Sequence, residues 1–404
     1  MSADGAPSVG EPSAPGPALA PGTPGPNANQ VRSDYRDPRR NVEINVGKTC
    51  NNKCVFCIDG MPSKDDLAFI DFEVMKSELE RWRADGHLSV GFLGGEPTTY
   101  PKIVESVAYA KQLGYTRIAL ATNAMMLRRM EFTDKLLAAG LTRATISMHG
   151  HTKALEDELV AVPGAYEKKC TAIRNLLKRK SEGHLADGVS VNIVLNAKNG
   201  PHLLPMMKFF FDTMQLDDLR VNFVRPEGYA EGNGDLVPTY TEIVPLLTKA
   251  ILLNEFHFKK TFTFGGFPLC ALPEELLRSK HLLAKYCGDI FRDLSTDCSI
   301  RAENEFGVAE FDGKRARFNW QDRKRYDLKH HMDACSRCSM TDVCEGVCRG
   351  YLDIYGEAEF APLVWEKDAA HRHAPRVKLP PPRNGGAKRG TAKRRLVVLD
   401  PDHG

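Results

Sequence analysis

The chain has 404 residues, 42% of them hydrophobic, and its 55 basic and 52 acidic side chains leave a formal net charge of +3. This length suits two domains or one large barrel with an extension. A charge so close to zero excludes a strongly basic polyanion binder, and no nucleic-acid-binding module is visible in the sequence. We therefore expect no nucleic-acid partner.

The sequence carries no visible signal for export or membrane insertion. Its start lacks the basic and apolar segments of a signal peptide, and no apolar run reaches the ~18 residues of a membrane span. The 11 cysteines are an odd number and come without an export signal, which indicates metal sites in a reducing compartment rather than disulfides. We expect a cytoplasmic protein without a membrane partner.

The first motif follows a Pro/Ala/Gly-rich stretch, residues 1 to 38, which we expect to be disordered. A short strand is predicted at 42–46, and directly after it Cys50, Cys54 and Cys57 form a C-x3-C-x2-C run. Three thiolates can hold three irons of a [4Fe–4S] cluster and leave the fourth iron open for a ligand. Taken alone, the run also suits zinc, whose sites use closely spaced cysteine pairs.

A second predicted strand, at 88–93, leads into Gly94-Gly95-Glu96-Pro97. The two glycines allow close backbone approach, and the glutamate can accept a charge-assisted hydrogen bond from an ammonium group. Taken alone, this segment equally suits an ordinary strand-to-helix turn with proline in the first helical turn.

The following segments alternate between strand-like and helix-like patterns. Strands are predicted at 116–121, 142–148, 189–195 and 219–224, and amphipathic helices at 103–113, 132–139, 166–180 and 203–214. Six strand–helix units in total indicate a parallel sheet covered by helices, with right-handed connections.

Polar residues cluster after these strands, where parallel barrels place their function. They are Asn123, Ser147, His149, Asn192, Asn196, Arg225 and Glu227. None can be assigned a catalytic step from the sequence, because His149 can equally be structural and Arg225 can simply pair with Glu227.

Beyond a predicted helix at 240–255, the chain becomes rich in cysteine. Seven of the 11 cysteines fall there: Cys270, Cys287, Cys298, Cys335, Cys338, Cys344 and Cys348. The last four of these are spaced C-x2-C-x5-C-x3-C. A zinc knuckle built by the last four is one interpretation. Cys170 lies within a predicted helix and is expected to be a plain thiol.

The cysteine run and the Gly-Gly-Glu turn together resemble the motifs of radical S-adenosylmethionine enzymes. In that family the cysteine loop follows the first barrel strand and Gly-Gly-Glu ends the second. The resemblance implies an α/β fold, a partial (β/α)6 TIM-like barrel, here with a cysteine-rich C-terminal extension. The spacing of the last four cysteines resembles the SPASM extension of the same family, which binds auxiliary [4Fe–4S] clusters.

The resemblance also implies a chemistry. An open [4Fe–4S] cluster on Cys50, Cys54 and Cys57 would cleave S-adenosylmethionine reductively to a 5′-deoxyadenosyl radical, which abstracts a hydrogen atom from the substrate. The side chains and turns implied to contact the cofactor are Phe56 near the adenine, Gly94, Gly95 and Glu96 at the amino group, and Asn123 and Ser147 at the ribose or methionine portion.

The match to the SPASM pattern is incomplete, because no cysteine follows Cys348 and the glycine usual five positions before an early cysteine is replaced by Leu282 and Asp293. Two ligand groupings therefore stay open. In the first, Cys335, Cys338 and Cys344 hold one auxiliary cluster and Cys270, Cys287, Cys298 and Cys348 hold another. In the second, a single twitch-like cluster draws on Cys270 and the late run.

Four regions are expected: a disordered tail at 1–38, the barrel at 39–235, the auxiliary-cluster domain at 236–366 and a basic, disordered tail at 367–404. Three functions stay open. The chain is an oxidoreductase or maturase acting on a peptide or protein, a radical enzyme acting on a small metabolite, or a non-enzymatic iron–sulfur or zinc protein. The resemblance implies an electron donor such as flavodoxin or ferredoxin, and gives a slight preference to the peptide substrate.

Overall fold

The computed structural model describes residues 39–60, 67–231, 233–291, 294–301, 307–312 and 315–365. Both predicted tails, 1–38 and 367–404, lie outside the described residues.

A single large sheet organises the protein. Its strands lie in the order β7-β6-β5-β4-β3-β2-β1-β8-β10-β9, and β1 to β8 pair in parallel. The first six are β1 (Asn41–Asn45), β2 (Ser89–Leu93), β3 (Arg117–Thr122), β4 (Arg143–Ser147), β5 (Gly188–Leu195) and β6 (Asp218–Phe223). These are the six predicted strands, and they confirm the partial barrel.

The sheet also contains strands that the sequence analysis did not assign. They are β7 (Thr261–Gly265), β8 (Thr296–Arg301), β9 (Glu310–Phe311) and β10 (Arg315–Asn319), while β11 (Lys329–His330) and β12 (Val347–Cys348) form a separate two-stranded sheet. β7 extends the parallel sheet beyond β6, and β8 extends it beyond β1, so that β7 and β9 are its edge strands.

Helices connect the parallel strands, as the alternation predicted. Those of the barrel are α1 (Phe72–Ala84), α2 (Ile103–Gln112), α3 (Met130–Ala139), α4 (Lys153–Val160), α5 (Ala165–Ser181), α6 (Leu203–Lys208) and α7 (Tyr240–Leu253). Those that follow are α8 (Glu274–Arg278), α9 (Lys280–Tyr286), α10 (Gly288–Phe291), α11 (Trp320–Arg323) and α12 (Arg349–Tyr355). The last two belong to the cysteine-rich part of the chain.

Burial alternates along the strands and separates an outer from an inner face of the sheet. In β1, Val42 and Ile44 are fully buried in the main hydrophobic core, whereas Glu43 and Asn45, which alternate with them, are only half-buried. Side chains of successive strand residues point to opposite faces, so the apolar set packs under the helices and the polar set faces the inside of the barrel.

A buried polar seam attaches β8 and β10 to the barrel beside β1. Arg317 forms an ion pair with Glu78 of α1, and both side chains are almost fully buried. Arg315 donates to the carbonyls of Ser299 (2.6 Å) and Asn45 (3.1 Å). Because Asn45 ends β1, this seam fixes the point from which the cysteine loop starts.

One helical stretch in the described part of the chain, Gly234–Phe258, is long and apolar enough to cross a membrane by length and composition. Its 18-residue window is 44% buried inside the protein, and Ile243, Leu247 and Ala250 belong to the main core. A core helix of a water-soluble protein passes the same test, so this stretch is weak evidence for a membrane span.

Candidate active site

The cysteine loop leaves β1 and lies against the Gly-Gly-Glu turn that ends β2. The amide of Gly95 donates to the carbonyl of Gly47 (2.7 Å), and the amide of Glu96 donates to that of Thr49 (2.8 Å). A Cβ at Gly95 would stand 2.3 Å from the carbonyl oxygen of Lys48, which no other residue could tolerate. The two motifs therefore form one backbone-bonded unit.

Gly94 contributes to the same contact. Its φ of +131° lies in a region that favours glycine, and a Cβ there would stand 2.5 Å from the carbonyl of Gly47. The backbone contact between the two motifs thus requires glycine at both positions, independently of any ligand.

The other side of the cysteine loop is held by α4. The amides of Lys53 and Val55 donate to the carbonyls of Val160 and Leu159, each at 3.0 Å. These carbonyls belong to the last turn of the helix, whose carbonyl groups lack partners within the helix. The loop thus satisfies the end of α4 while fixing the backbone on both sides of Cys54.

A third contact comes from the loop after β6. The amide of Tyr229 donates to the carbonyl of Cys57 (3.0 Å). Gly228 has φ of +60°, and a Cβ there would stand 2.4 Å from the same carbonyl. Segments that follow β2, β4 and β6 therefore enclose the cysteine loop at the carboxyl ends of the strands.

The three thiols of this loop influence one another. Burial raises the pKa of Cys50 to about 11, and the charges of Glu96 and Cys57 raise it further. Burial raises the pKa of Cys54 to about 12, and the charges of Cys57 and Cys50 raise it further. Burial also raises the pKa of Cys57. The amide of Asn52 donates to the sulfur of Cys50 at 3.4 Å. A bound cation would stabilise all three thiolates, so this donor set suits a metal cluster.

Glu96 is 1% exposed, and four hydrogen bonds hold its carboxylate. Oε1 accepts from the amide (3.0 Å) and hydroxyl (2.5 Å) of Thr98 and from the hydroxyl of Thr122 (2.5 Å), while Oε2 accepts from the amide of Asn123 (2.6 Å). Burial raises the pKa of this carboxyl, and the hydrogen bonds oppose that effect. Because Oε2 accepts only one of these bonds, it keeps acceptor capacity for a further donor.

Asn123 connects the same carboxylate to the cysteine loop. Its side-chain amide donates to Oδ1 of Asn51 (2.6 Å) and lies 3.9 Å from the sulfur of Cys50, and its Oδ1 accepts from the amide of Met125 (3.1 Å). The structure thus brings Cys50, Glu96 and Asn123 together, as the sequence analysis expected of residues sharing one site.

Phe56 lies against His149, which follows β4. Phe56 is 6% exposed, and its ring meets the imidazole edge-on with the centroids 4.6 Å apart. Nδ1 of His149 accepts from the amide of Val194 (3.0 Å), so the proton of the neutral ring is assigned to Nε2. Burial, and after it the charge of Lys169, holds the pKa of His149 well below its ordinary value. His149 is a neutral support for Phe56.

A buried ion pair that the sequence analysis missed holds the end of β4. Both side chains, Glu156 on α4 and Lys169 on α5, are 0% exposed and lie 2.6 Å apart. Glu156 accepts from the amides of His149 (2.6 Å) and Gly150 (2.7 Å), and Lys169 donates to the carbonyl of Ser147 (2.9 Å). No local pattern identifies this pair in the sequence, because its members lie on different helices.

The asparagines after β5 have structural partners. Oδ1 of Asn192 accepts from the side chain of Asn222 (2.6 Å), and the amide of Asn196 donates to Asn199 (2.8 Å). Asn199 in turn donates to the carbonyl of His149 (3.0 Å). These contacts link the ends of β4, β5 and β6.

A second group of thiols lines a cavity in the cysteine-rich part of the chain. The space amounts to about 350 Å³, including its opening to solvent, and its cysteines are Cys270, Cys335, Cys338 and Cys344. Burial raises the pKa of Cys270 to about 12, and the other three thiols raise it further. The structure thus brings Cys270 together with three cysteines of the late run.

A buried triad supports this cavity. Glu345 is 2% exposed and pairs with Lys324 (2.8 Å) and Lys329 (2.6 Å), which hold the pKa of its carboxyl at about 2 against the opposing effect of burial. Because Glu345 follows Cys344 directly, the triad fixes the backbone of the late cysteines.

The three other predicted late ligands lie outside the lining of this cavity. Cys287 ends α9 and forms a backbone bridge with Phe264 of β7. Cys298 lies on β8 opposite Glu43 and belongs to a separate small core. Cys348 is buried, and after burial the charge of Glu227 raises its pKa. None of these three cysteines lines the cavity that Cys270 lines.

Within the described ranges, no three His, Cys, Asp or Glu side chains are gathered as the ligands of one metal ion would be. A [4Fe–4S] cluster binds each thiolate through a separate iron, so its ligands stand farther apart than those of one zinc ion.

Comparisons with known proteins agree with this chemistry. Residues 44–202 match the family described as Radical SAM superfamily. The AdoMet-dependent heme synthase of Methanosarcina barkeri is 31% identical over 136 residues, covering 34% of this chain and 38% of the relative. The PqqA peptide cyclase of Rhodopseudomonas palustris is 31% identical over 204 residues, covering 50% of this chain and 52% of the relative. The matches thus span about half or less of these relatives.

Solved structures share the fold over most of the chain. Streptococcus suis SuiB bound to S-adenosylmethionine has a TM-score of 0.54 at 16% identity, with 82% of this chain and 79% of that chain covered. The same protein bound to precursor peptide SuiA has a TM-score of 0.51 at 14% identity, with 80% and 75% covered. At this identity the similarity shows a common fold.

Proposed function

We propose that this chain, whose residues 44–202 match the Radical SAM superfamily, is a radical SAM enzyme, that Cys50, Cys54 and Cys57 hold an open [4Fe–4S] cluster, and that the enzyme removes a hydrogen atom from a peptide or protein. The observation that carries the proposal is the convergence of Cys50, Glu96 and Asn123 in one bonded unit at the carboxyl ends of the strands. Because the family shows that the protein is an enzyme, a purely electron-carrying or zinc-binding role is not proposed.

When bound, the cluster and S-adenosylmethionine supply a one-electron cleavage that yields a 5′-deoxyadenosyl radical able to take hydrogen from the substrate. The protein binds and orients the reactants. Glu96 offers the remaining acceptor capacity of Oε2 to the amino group of the cofactor, and the Gly94–Gly95 turn brings it beside the cysteine loop.

The ribose and adenine have separate supports in this proposal. Asn123 and Ser147 lie at the ends of β3 and β4 and would contact the ribose or methionine portion. Phe56, packed on His149, would lie beside the adenine. No residue is assigned as a catalytic acid or base.

We further propose one auxiliary [4Fe–4S] cluster held by Cys270, Cys335, Cys338 and Cys344. Four thiols around one cavity supply a complete ligand set, and the amides of Met340 and Gly346 donate to the sulfurs of Cys338 and Cys344 at 3.4 Å each. Such hydrogen bonds stabilise thiolates and adjust cluster potential.

A peptide or protein is the first candidate substrate because a peptide cyclase matches half of the chain. A small molecule is the second candidate, which the similarity to a heme synthase favours. The proposal keeps the regional division at 39–235 and 236–366, a cytoplasmic location and an electron donor such as flavodoxin or ferredoxin.

Iron content tests the cluster assignments. After anaerobic reconstitution we expect about 8 irons per wild-type chain, and about 4 in either the Cys50/Cys54/Cys57→Ala variant or the Cys335/Cys338→Ala variant. Only the first variant should lose 5′-deoxyadenosine formation completely. About 12 irons in the wild type would require a second auxiliary cluster, and an iron-free wild type would contradict the proposal.

The substrate class can be tested by the same product. Wild-type enzyme would be supplied with size-fractionated extract of the organism that encodes it, before and after protease treatment. Stimulation of 5′-deoxyadenosine formation that protease abolishes supports the peptide substrate. Stimulation that survives protease and follows the low-mass fraction supports the small molecule.

A further inference from the structure

The inside of the barrel is polar near β6. Arg220 and Asn222 are half-buried, whereas Leu219 and Val221, which alternate with them, are fully buried in the core. Asn222 bonds across to Asn192 of β5. An inner face with these side chains suits a polar ligand better than an apolar one.

Arg225 follows this strand and holds an unused donor. Its guanidinium lies 5.0 Å over the ring of Trp320, and its side chain is 22% exposed. Nη1 is buried and has no hydrogen-bond partner among the described residues. Nη2 lies 3.6 Å from Glu227, beyond hydrogen-bond distance. A buried donor without a partner destabilises the protein, and a ligand that accepts its hydrogen bond removes that penalty.

A second guanidinium lies close by. Arg323 is on α11 three residues after Trp320, is 15% exposed and stacks 5.0 Å over Phe318. Burial lowers the pKa of Arg323, the charges of Asp327 and Glu227 oppose that lowering, and the charge of Arg225 adds to it. Nη1 of Arg323 lies 3.9 Å from Asp327. The two guanidiniums thus already face carboxylates, and this is the kind of anion that such a place favours.

The segment that carries Arg225 contacts both the cysteine loop and α12. Tyr229 donates to Cys57 in the cysteine loop. On the other side, a Cβ at Gly350, in the first turn of α12, would stand 2.7 Å from the carbonyl of Pro226. The segment that carries Arg225 is therefore held by the cysteine loop on one side and by α12 on the other.

From this geometry we propose that Arg225, seated on Trp320 and assisted by Arg323, is a binding subsite for a carboxylate of the substrate. The planar guanidinium matches a carboxylate in a two-bond arrangement. The inference rests on the proposed function and specifies its substrate class, a peptide that presents an acidic side chain or its C-terminus inside the barrel. Glu227 is the internal carboxylate that such a ligand displaces.

Equilibrium dialysis on the reconstituted enzyme tests the subsite. The probe is N-acetyl-glutamate methylamide, and its matched neutral partner is N-acetyl-glutamine methylamide. Arg225→Gln should weaken binding of the acidic probe about tenfold or more, because a hydrogen bond to a charged group is lost. Glu227→Gln should tighten it, because the competing carboxylate is removed while Arg225 stays in place.

Arg143→Gln is the matched control. Its side chain is 21% exposed, and it begins β4 at the opposite end of the barrel, paired with Asp218. Binding of the acidic probe should be unchanged in it. Equal binding of the acidic and neutral probes, or an acidic probe unaffected by Arg225→Gln and Glu227→Gln, would overturn the subsite.

The subsite and the proposed function fail separately. Production of 5′-deoxyadenosine by the wild type, without any probe, reports on the function. If no 5′-deoxyadenosine is produced while probe binding depends on Arg225, the subsite is supported and the proposed function is contradicted. If 5′-deoxyadenosine is produced while binding of the probe does not depend on Arg225, the proposed function is supported and the subsite is contradicted.

Discussion

Replacing Lys169 by Met should open the end of β4. The methionine keeps most of the side-chain volume, but two hydrogen bonds disappear, to Glu156 (2.6 Å) and to the carbonyl of Ser147 (2.9 Å). Glu156 would remain as a buried charge held only by the amides of His149 and Gly150. Removing one member of a buried pair costs about 3–5 kcal/mol, so local opening should become about 100-fold or more frequent.

The assay is amide hydrogen exchange at His149 and Gly150, whose protection depends on Glu156. The matched control is Lys198→Met, since Lys198 pairs with Glu158 two residues further along α4 and both side chains are about half exposed. An exposed pair contributes about 0–1 kcal/mol, so exchange at the same two amides should hardly change. Equal exchange rates in the two variants would refute the argument that the Lys169–Glu156 pair protects these amides because it is buried.

Three further changes test other parts of the structure. Gly95→Ala should lower iron binding by the cysteine loop, because its Cβ would meet a carbonyl at 2.3 Å, whereas Gly234→Ala, with nothing within 4 Å, should retain iron. The pKa of His149 is depressed in the folded protein, so the stability that its neutral ring contributes is present above pH about 6.5 and is lost as the pH falls. The unfolding midpoints of wild type and His149→Gln should therefore converge as the pH is lowered. A difference between the midpoints that stays constant with pH would contradict the depressed pKa. Glu345→Gln removes the carboxylate that pairs with Lys324 and Lys329 and should cost about 3–5 kcal/mol of stability, measured as urea unfolding of the metal-free chain; an unchanged midpoint would contradict the role of the triad.

The local pattern of the sequence predicted the barrel well. Alternating strand and helix periodicities located all six strands of the predicted units, and the spacing of Cys50, Cys54 and Cys57 with the Gly-Gly-Glu turn indicated the site. These features could be found because strand and helix periods and motif spacings are properties of contiguous residues.

What lies outside contiguous segments was not predicted. β8 could not be placed beside β1 from the sequence, because strand order depends on which distant segments bury their faces together. Likewise, Cys270 joins Cys335 in one cavity while Cys298 lies on a strand elsewhere, although all three are simply late cysteines in the sequence.

The sequence by itself therefore predicted the parallel barrel and the motif spacing that resembles a known family, since motif and periodicity are local. The tertiary structure alone decided which late thiols meet, that Lys169 and Glu156 support the end of β4, and that Arg225 lies on Trp320 with a free donor. These contacts join residues from separate elements, and long-range packing, not local preference, brings such residues together.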